Sequence, residues 1–356
     1  MPDRRGFLKL TGAAVAAATV ALPTAAYAQR ASGCLLYIGS YAHAITTLAS
    51  SDLSTVSSAA GLASPSYLTV HPNGRFLYAV DEQTAGTVTG FTIGAGGVLT
   101  QLNTVSCGGN GPAQLTVDPT GKYVLTANYG DGTVGVNALN ADGSVGASTD
   151  LVRHQGATPH AHMARFAPSG RFVLVSDLGT DQVFAYQLRG GKLKQTAVTA
   201  LPTGTGPRHF RFAPGNTVYL VGESDSSLRT FSYNPVSGAL TQRHVQPATK
   251  DTYSVRNYPS EIALSPDNVF CYVGNRGGDV ITTFDISTGT PRVLSDVSVH
   301  GQWPRHFAVT ADRIWVANQN SSNLTAFDRD PLTGLPTYTS QLALGSPSFV
   351  LPAHSR

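Results

Sequence analysis

The sequence predicts an all-β chain, a seven-bladed β-propeller of four-stranded antiparallel blades. Three observations carry that prediction: a strand–turn–strand unit, its return at regular spacing, and two chain ends that complement each other. The unit is PSYLTVHPNGRFLYAV, Pro65 to Val80. It reads as an apolar strand, a Pro-Asn-Gly turn and a second apolar strand, because β-branched and aromatic residues favour strands and Pro-Asn-Gly supplies turn geometry. A third strand, TVTGF, follows. The unit returns from Pro112, His160, Pro207, Pro259 and Pro304, and a truncated copy, SPSFVLP, closes the chain. Spacings of 47 residues (Pro65 to Pro112), 52 (Pro207 to Pro259), 45 (Pro259 to Pro304) and 43 (Pro304 to Pro347) match a four-stranded blade of roughly 40 to 50 residues. The truncated copy supplies only an inner strand. LLYIGSY, Leu35 to Tyr41, has the character of a second blade strand, so both chain ends are expected to build one blade. Such closure removes the sheet edges that invite aggregation.

The elements follow in chain order. Arg4-Arg5, Phe7-Leu8-Lys9, an Ala-rich run from Ala13 to Leu22 and Ala26-Tyr27-Ala28 read as a twin-arginine export signal over residues 1–28, with an A-x-A cleavage site. The apolar run is too short to be a stable membrane anchor. The expected partner of this segment is the twin-arginine export machinery, and the expected location is the periplasm or the exterior. Residues 29–356 then form the propeller, about 47 residues per blade. Removing the signal lowers the net charge from +3 to +1. A near-neutral chain has no global field for nucleic acid or anionic membrane. Cys34, Cys107 and Cys271 have no metal-type spacing. Cys271 reads as a buried small hydrophobe within a strand, and a Cys34–Cys107 disulfide is one arrangement an exported chain would permit.

Topology places the polar residues. With strands A to D running outward from the channel, the A–B and C–D turns share one face and the D–A and B–C connections share the other. The A–B turns, such as HPNG, DPTG and APSG, are turn chemistry. The opposite face collects Ser66, Gln114, His160, His162, Arg208, His209, Ser260, Glu261, Arg305 and His306 ahead of the A strands. It also collects Asp81-Glu82, Asn128-Tyr129, Asp177, Glu223, Asn275-Arg276 and Asn318-Gln319 after the B strands. Converging polar groups around a channel are the expected form of a propeller active site. His162 and Arg208 stand at equivalent positions, six residues before Pro168 and Pro214, which leaves His160 in an extension over the channel mouth. Asp81, Asp177 and Asn128 are expected to bond local backbone at strand ends. For His209 and His306, packing between blades competes with ligand contact. Three guanidinium groups aimed at one channel require carboxylates or an anionic ligand to balance them, with Glu223 and Glu261 the fixed carboxylates.

The stretches SPSYLTVHPNGRFLYAV, DPTGKYVLTANYGDGTV, PHAH, SDLGTDQVFAY, GPRHF, NRGGDVI, PRHF and VANQNSSNLTAF resemble the seven-bladed propeller lactonase family, which includes bacterial propeller-type 6-phosphogluconolactonases and fungal carboxymuconate cyclases. The resemblance spans nearly all of residues 29–356 and implies a lactonase domain. By it, His160, Arg208, Glu223 and Arg276 carry the catalytic site. His162, His209, Glu261, Arg305, His306 and Gln319 are the expected substrate-binding residues. Three departures stand out: Gly222 where the family usually has Asn, Gly278 where it often has His, and AHAITTLASS where a second motif usually follows the first strand.

The expected chemistry is hydrolysis of an anionic or sugar lactone by an activated water, with His160 or Glu223 as base and the arginines holding negative charge. It requires no cofactor or metal, since His160-x-His162 alone is a poor metal signal. Two rivals use the same fold. One is a cyclase closing an unsaturated dicarboxylate in the same site. The other is a non-catalytic binding propeller relying on exposed aromatics such as Trp303 or Tyr253.

Overall fold

The computed structural model describes residues 34–354, without the side chain of His354. The export-signal reading of residues 1–28 lies outside the described residues. Seven four-stranded antiparallel sheets account for almost all regular structure, and the helical content among the described residues is one short 3-10 turn, Ala95–Gly97. Blades are numbered 1 to 7 in chain order of their inner strands: Leu68–Val70, Pro112–Val117, Ala161–Phe166, Pro207–Ala213, Tyr258–Leu264, Pro304–Val309 and Pro347–His354. Blade 7 takes its inner strand from the C-terminal end and its other three from Cys34–Ser40, Ala44–Ala49 and Thr55–Ala60. The register joins Tyr37 to Leu351 and Ile38 to Val350. The expected closure by both ends is therefore the observed one.

The core is distributed like spokes. Apolar clusters fill the contacts between neighbouring blades: Leu174, Val183, Phe210 and Phe231 between blades 3 and 4, and Trp315, Leu324, Leu36 and Ile38 between blades 6 and 7. Second strands are buried on both faces, which explains their continuous apolar runs. Outer strands such as Lys192–Ala200 alternate between exposed and half-buried positions.

Adjacent blades are also pinned by an aromatic residue near the start of the second strand, set against a glycine in the next blade's C–D turn. The Tyr78 hydroxyl donates to the Gly143 carbonyl at 3.0 Å, and Tyr272 to Gly334 at 2.7 Å. Both glycines have positive φ, 87° and 72°, and a Cβ on either would collide with the ring of Phe76 or Phe270.

One irregularity decides where the functional side chains point. In six of the seven blades the inner strand is out of register with its neighbour near its first residues: Pro112/Gln114, Ala161/Met163, Pro207/Phe210, Pro259/Ile262, Pro304/His306 and opposite Gly39/Ser40. A β-bulge bends the strand and re-aims its side chains. His162, Arg208, His209, Ser260, Glu261 and Arg305 all lie in these bulges.

Cys107 and Cys271 are buried free thiols, so the Cys34–Cys107 disulfide does not form. Burial pushes both thiols up. No helix of the described residues is long and apolar enough to cross a membrane.

Candidate active site

The bulges and the ends of the second strands build one channel mouth. The asparagine or aspartate at or just before the end of a second strand is structural. Asn128, Asn275 and Asn318 donate to Thr133, Thr282 and Thr325 in the adjacent strand at 3.0, 2.9 and 3.0 Å. Asp81 accepts from the Ala63 and Ser64 amides, and Asp177 from those of His160, Gly179 and Thr180. Asp177 makes the local backbone bonds expected of it, to Gly179 and Thr180, whereas the backbone partners of Asp81 belong to the connection ahead of its blade's inner strand and the partner of Asn128 is a threonine hydroxyl. The next residue along, freed from that task, reaches the mouth as Tyr41, Glu82, Tyr129, Glu223 and Arg276 in blades 7, 1, 2, 4 and 5, while blades 3 and 6 carry Leu178 and Gln319 at that place.

Glu223 is the hub. Its Oε2 lies 2.9 Å from Arg208 Nε and 2.6 Å from Arg276 Nη2. The Arg208 contact is ionic, because the Nε–H is not aimed along a hydrogen-bond direction. Arg208 Nη1 donates instead to the Ser260 carbonyl. Arg276 is fixed by bonds to the Tyr258 and Pro259 carbonyls at 3.1 and 3.4 Å and lies 5.1 Å over the Trp303 ring. Burial pushes the Glu223 carboxyl up, but Arg276 and Arg208 outweigh it and hold the group below the ordinary carboxylate range. Burial first, then Arg276, pushes the Arg208 guanidinium down.

A second cluster lies at the same mouth. Arg305 makes a loose contact with Glu82, 3.4 and 3.5 Å to its two oxygens, and stacks 5.2 Å over Tyr41. The Tyr41 hydroxyl donates to Glu82 at 2.6 Å. Three guanidiniums thus face two carboxylates, leaving one positive charge in excess.

His160 stands just ahead of its strand, half-buried, stacked on Tyr129 with ring centroids 4.4 Å apart. Its Nδ1 is 2.7 Å from the Tyr129 carbonyl oxygen, which can only accept. Nδ1 therefore carries a proton, and in the neutral ring Nε2 is the acceptor. The Tyr129 ring that holds His160 is itself within the field of Glu223, Arg208, Arg276 and Arg305, which puts the imidazole at the arginine end of the channel.

The structure sorts the sequence-predicted residues into two layers. His160, Arg208, Glu223, Arg276 and Arg305 belong to the mouth, and Gln319 holds the strand-end place equivalent to Glu223, with its Oε1 buried and without a partner. Glu261, His209 and His306 lie deeper, where they tie three blades together, and the two histidines line a small cavity with Arg208 and Arg305. Glu261 Oε2 accepts from His209 Nδ1 at 2.9 Å and His306 Nε2 at 3.0 Å, its Oε1 pairs with Arg211 at 2.6 Å, and its side chain has no solvent exposure. For this trio the contacts seen are those of the inter-blade reading. His162 sits between the layers, edge-on to Tyr129 and His209. Its Nδ1, His209 Nε2 and the Ser66 hydroxyl are buried without a protein partner, and all three residues line a cavity of about 10 Å³, about the room one water needs.

Sequence reasoning noted Glu82 and Tyr129 but assigned them no role, and it passed over Tyr41. The available signal was position, since each directly follows a second strand, as Glu223 does. Trp303 and Tyr253, expected as exposed binding aromatics, are half-buried. Trp303 packs on Arg276, and the Tyr253 hydroxyl donates to Asp296 at 2.8 Å. Two departures acquire a local reason. A Cβ at position 222 would strike Asp225, which occupies that space and pairs with Arg229. At Gly278 the Tyr253 ring covers the bare backbone, 3.2 Å from where a Cβ would stand.

A sequence profile described as "Lactonase, 7-bladed beta-propeller" matches residues 35–352. The chain belongs to the seven-bladed β-propeller lactonase family. Relatives of this lactonase-family chain include a 6-phosphogluconolactonase of Bacillus subtilis, 32% identical over 290 residues and covering 78% of this chain and 83% of that protein. A 6-phosphogluconolactonase of Formosa agariphila is 29% identical over 295 residues, covering 76% and 82%. Among solved structures, a periplasmic gluconolactonase of Pseudomonas aeruginosa superposes with a TM-score of 0.84 at 28% identity, covering 91% of this chain and 99% of that one.

Proposed function

We propose that the chain is a lactone hydrolase that opens an anionic or sugar lactone at the mouth built by His160, Arg208, Glu223, Arg276 and Arg305. The observation that carries this reading is the pairing of Glu223 with two arginines beside an imidazole whose Nε2 is left as an acceptor. A carboxylate engaged by two guanidiniums is a poor base, so Glu223 serves as the anchor and His160 as the base. His160 Nε2 takes a proton from water as the water oxygen attacks the lactone carbonyl carbon. Arg208 and Arg276 offset the charge growing on the carbonyl oxygen. The ring C–O bond then breaks, and the leaving oxygen takes the proton back from the imidazolium, giving a hydroxy acid. General-base help of this kind is worth about 10² to 10⁴ in rate.

Arg305 is the guanidinium with the loosest partner, and it suits a substrate carboxylate or phosphate. The long connection before blade 5 adds a further cation at the rim, since Arg256 reaches the Ser224 carbonyl at 3.3 Å, next to Glu223. This excess of positive charge supports an anionic substrate. The N-terminal twin-arginine pattern, together with the likeness to a periplasmic gluconolactonase, supports export through the twin-arginine machinery and a substrate met outside the cytoplasm, an unphosphorylated aldonolactone or another carboxylated lactone.

The test is a lactone panel on the purified chain with pH-indicator readout: gluconolactone, 6-phosphogluconolactone, a carboxylated lactone, and a muconate to separate hydrolysis from cyclisation. Proton release on at least one lactone, lost in His160→Ala, is the expected result. No turnover of any lactone alongside conversion of the muconate would transfer the site to the cyclase reading.

A further inference from the structure

The channel has a second chamber. Below the layer of Tyr67, His209 and His306, a cavity of about 510 Å³ opens toward the A–B turns, lined among others by Tyr67, Arg165, Arg211, Phe212, Val309 and Leu351. Its volume falls in the range of small-ligand pockets. Two guanidiniums serve this chamber, and the nearest carboxylate is Glu261 in its roof.

That carboxylate does not balance them. Glu261 Oε1 is 2.6 Å from Arg211 Nη2, and its Oε2 is shared by His209 and His306. Burial drives both imidazoles to the neutral form, overriding the pull of Glu261. Arg211 therefore has its counter-charge, whereas Arg165 forms no ion pair among the described residues. Arg165 Nε is buried and has no hydrogen-bond partner. Burial first, and then Arg211 beside it, push this guanidinium down to about 10. Arg165 is half-buried, with Tyr67 as its hydrogen-bond partner and Glu261 only at longer range, so an anion in the chamber would complete the pairing that its Nε and the neighbouring Arg211 leave open.

We propose that the lower chamber is a second binding site, in which Arg165 and Arg211 clamp a small oxyanion, a carboxylate or a phosphate. A guanidinium matches both geometries through paired N–H donors. The apolar wall of Phe212, Val309 and Leu351 receives a compact organic body, which favours a short carboxylic acid over the bare inorganic ion. The site is chemically separate from the mouth, because the Glu261 layer lies between them, and it stands whether or not the mouth hydrolyses lactones.

The experiment uses the chain from residue 29 onward, with calorimetric titration and thermal melts against inorganic phosphate and against gluconate, in the wild type, Arg276→Ala and Arg165→Gln. Binding in wild type and Arg276→Ala, weakened at least about tenfold in Arg165→Gln, is the expected result; the better titrant identifies the source of the oxyanion. No binding of either anion, or binding lost in Arg276→Ala and kept in Arg165→Gln, overturns the proposal. Should Arg165→Gln fail to fold, wild-type crystals soaked in selenate decide. An anomalous peak between the Arg165 and Arg211 guanidiniums supports the site, and a peak at the mouth alone, or none, rejects it.

Discussion

Arg276 Nη2 lies 2.6 Å from Glu223 Oε2, and that same oxygen is 2.9 Å from Arg208. One oxygen thus holds two cations from neighbouring parts of the wheel, and the arrangement separates two kinds of damage. Arg276→Ala removes one cation and leaves Glu223 paired with Arg208. We expect a folded protein whose lactone kcat/KM falls at least about tenfold. Glu223→Gln leaves buried guanidiniums uncompensated, which costs about 3–5 kcal/mol when a buried pair is broken from one side. Here both Tm and turnover should fall. Equal Tm losses in the two variants would reject this division of labour.

The His160 ring is positioned by Tyr129 twice, through its carbonyl and through its ring face. Substituting Tyr129 by Leu keeps the carbonyl and removes the stack. Turnover should fall by less than in His160→Ala, with circular dichroism unchanged in both. Rates for Tyr129→Leu at or below those of His160→Ala would mean that the phenol itself takes part in the reaction.

Much of this was legible before any coordinates. Period, turn chemistry and complementary ends specified the wheel, and antiparallel alternation specified the face on which Arg208, Glu223 and Arg276 meet. What could not be read was the second layer. In an unbroken strand Arg208 and His209 would point to opposite faces. The bulge between Pro207 and Phe210 lets both serve the channel, one at the mouth and one beneath. A one-residue register shift leaves no trace in an apolar–polar pattern, so Glu261 and its histidines looked like part of the binding surface. Arg165 and Arg211 were hidden for a related reason, since they lie past the bulges on stretches that read only as strand.

The inter-blade pins predict a stability defect far from the chemistry. Gly334 has φ 72°, and a Cβ there would stand 2.5 Å from the Phe270 ring. Gly334→Ala combines left-handed backbone strain with overpacking, the latter alone costing about 1–3 kcal/mol. The expected result is a Tm several degrees lower with unchanged KM for the preferred lactone. An unchanged Tm would show that the ring yields freely and that the glycine does not pin the blades.

The Glu261 layer sets the acid limit of the fold. Burial, opposed by Glu261, holds His209 down to about 3 and His306 below its ordinary value, and burial with Arg208 holds His162 well below its own. Geometry agrees, since His306 Nδ1 accepts the Val350 amide at 3.3 Å while Nε2 serves Glu261, so a second proton would break a bond between blades 6 and 7. The unfolded chain takes up protons at these histidines below about pH 6.5, while the native state refuses them until far lower pH. The unfolded state then binds more protons, so stability is full above that pH and declines as pH falls through the histidine window. Glu261, which burial raises but Arg211 and the histidines pull well below the carboxylate range, and Glu223 add their loss only below about pH 4.5. Melting curves between pH 7.5 and 4 should show Tm already falling between 6.5 and 5, before carboxylates titrate. His306→Gln, which removes one of the refused protons, should flatten that first segment while lowering Tm at pH 7.5. A Tm constant down to pH 5 in the wild type would mean that the buried histidines accept protons in place, and the tie between blades would need another explanation.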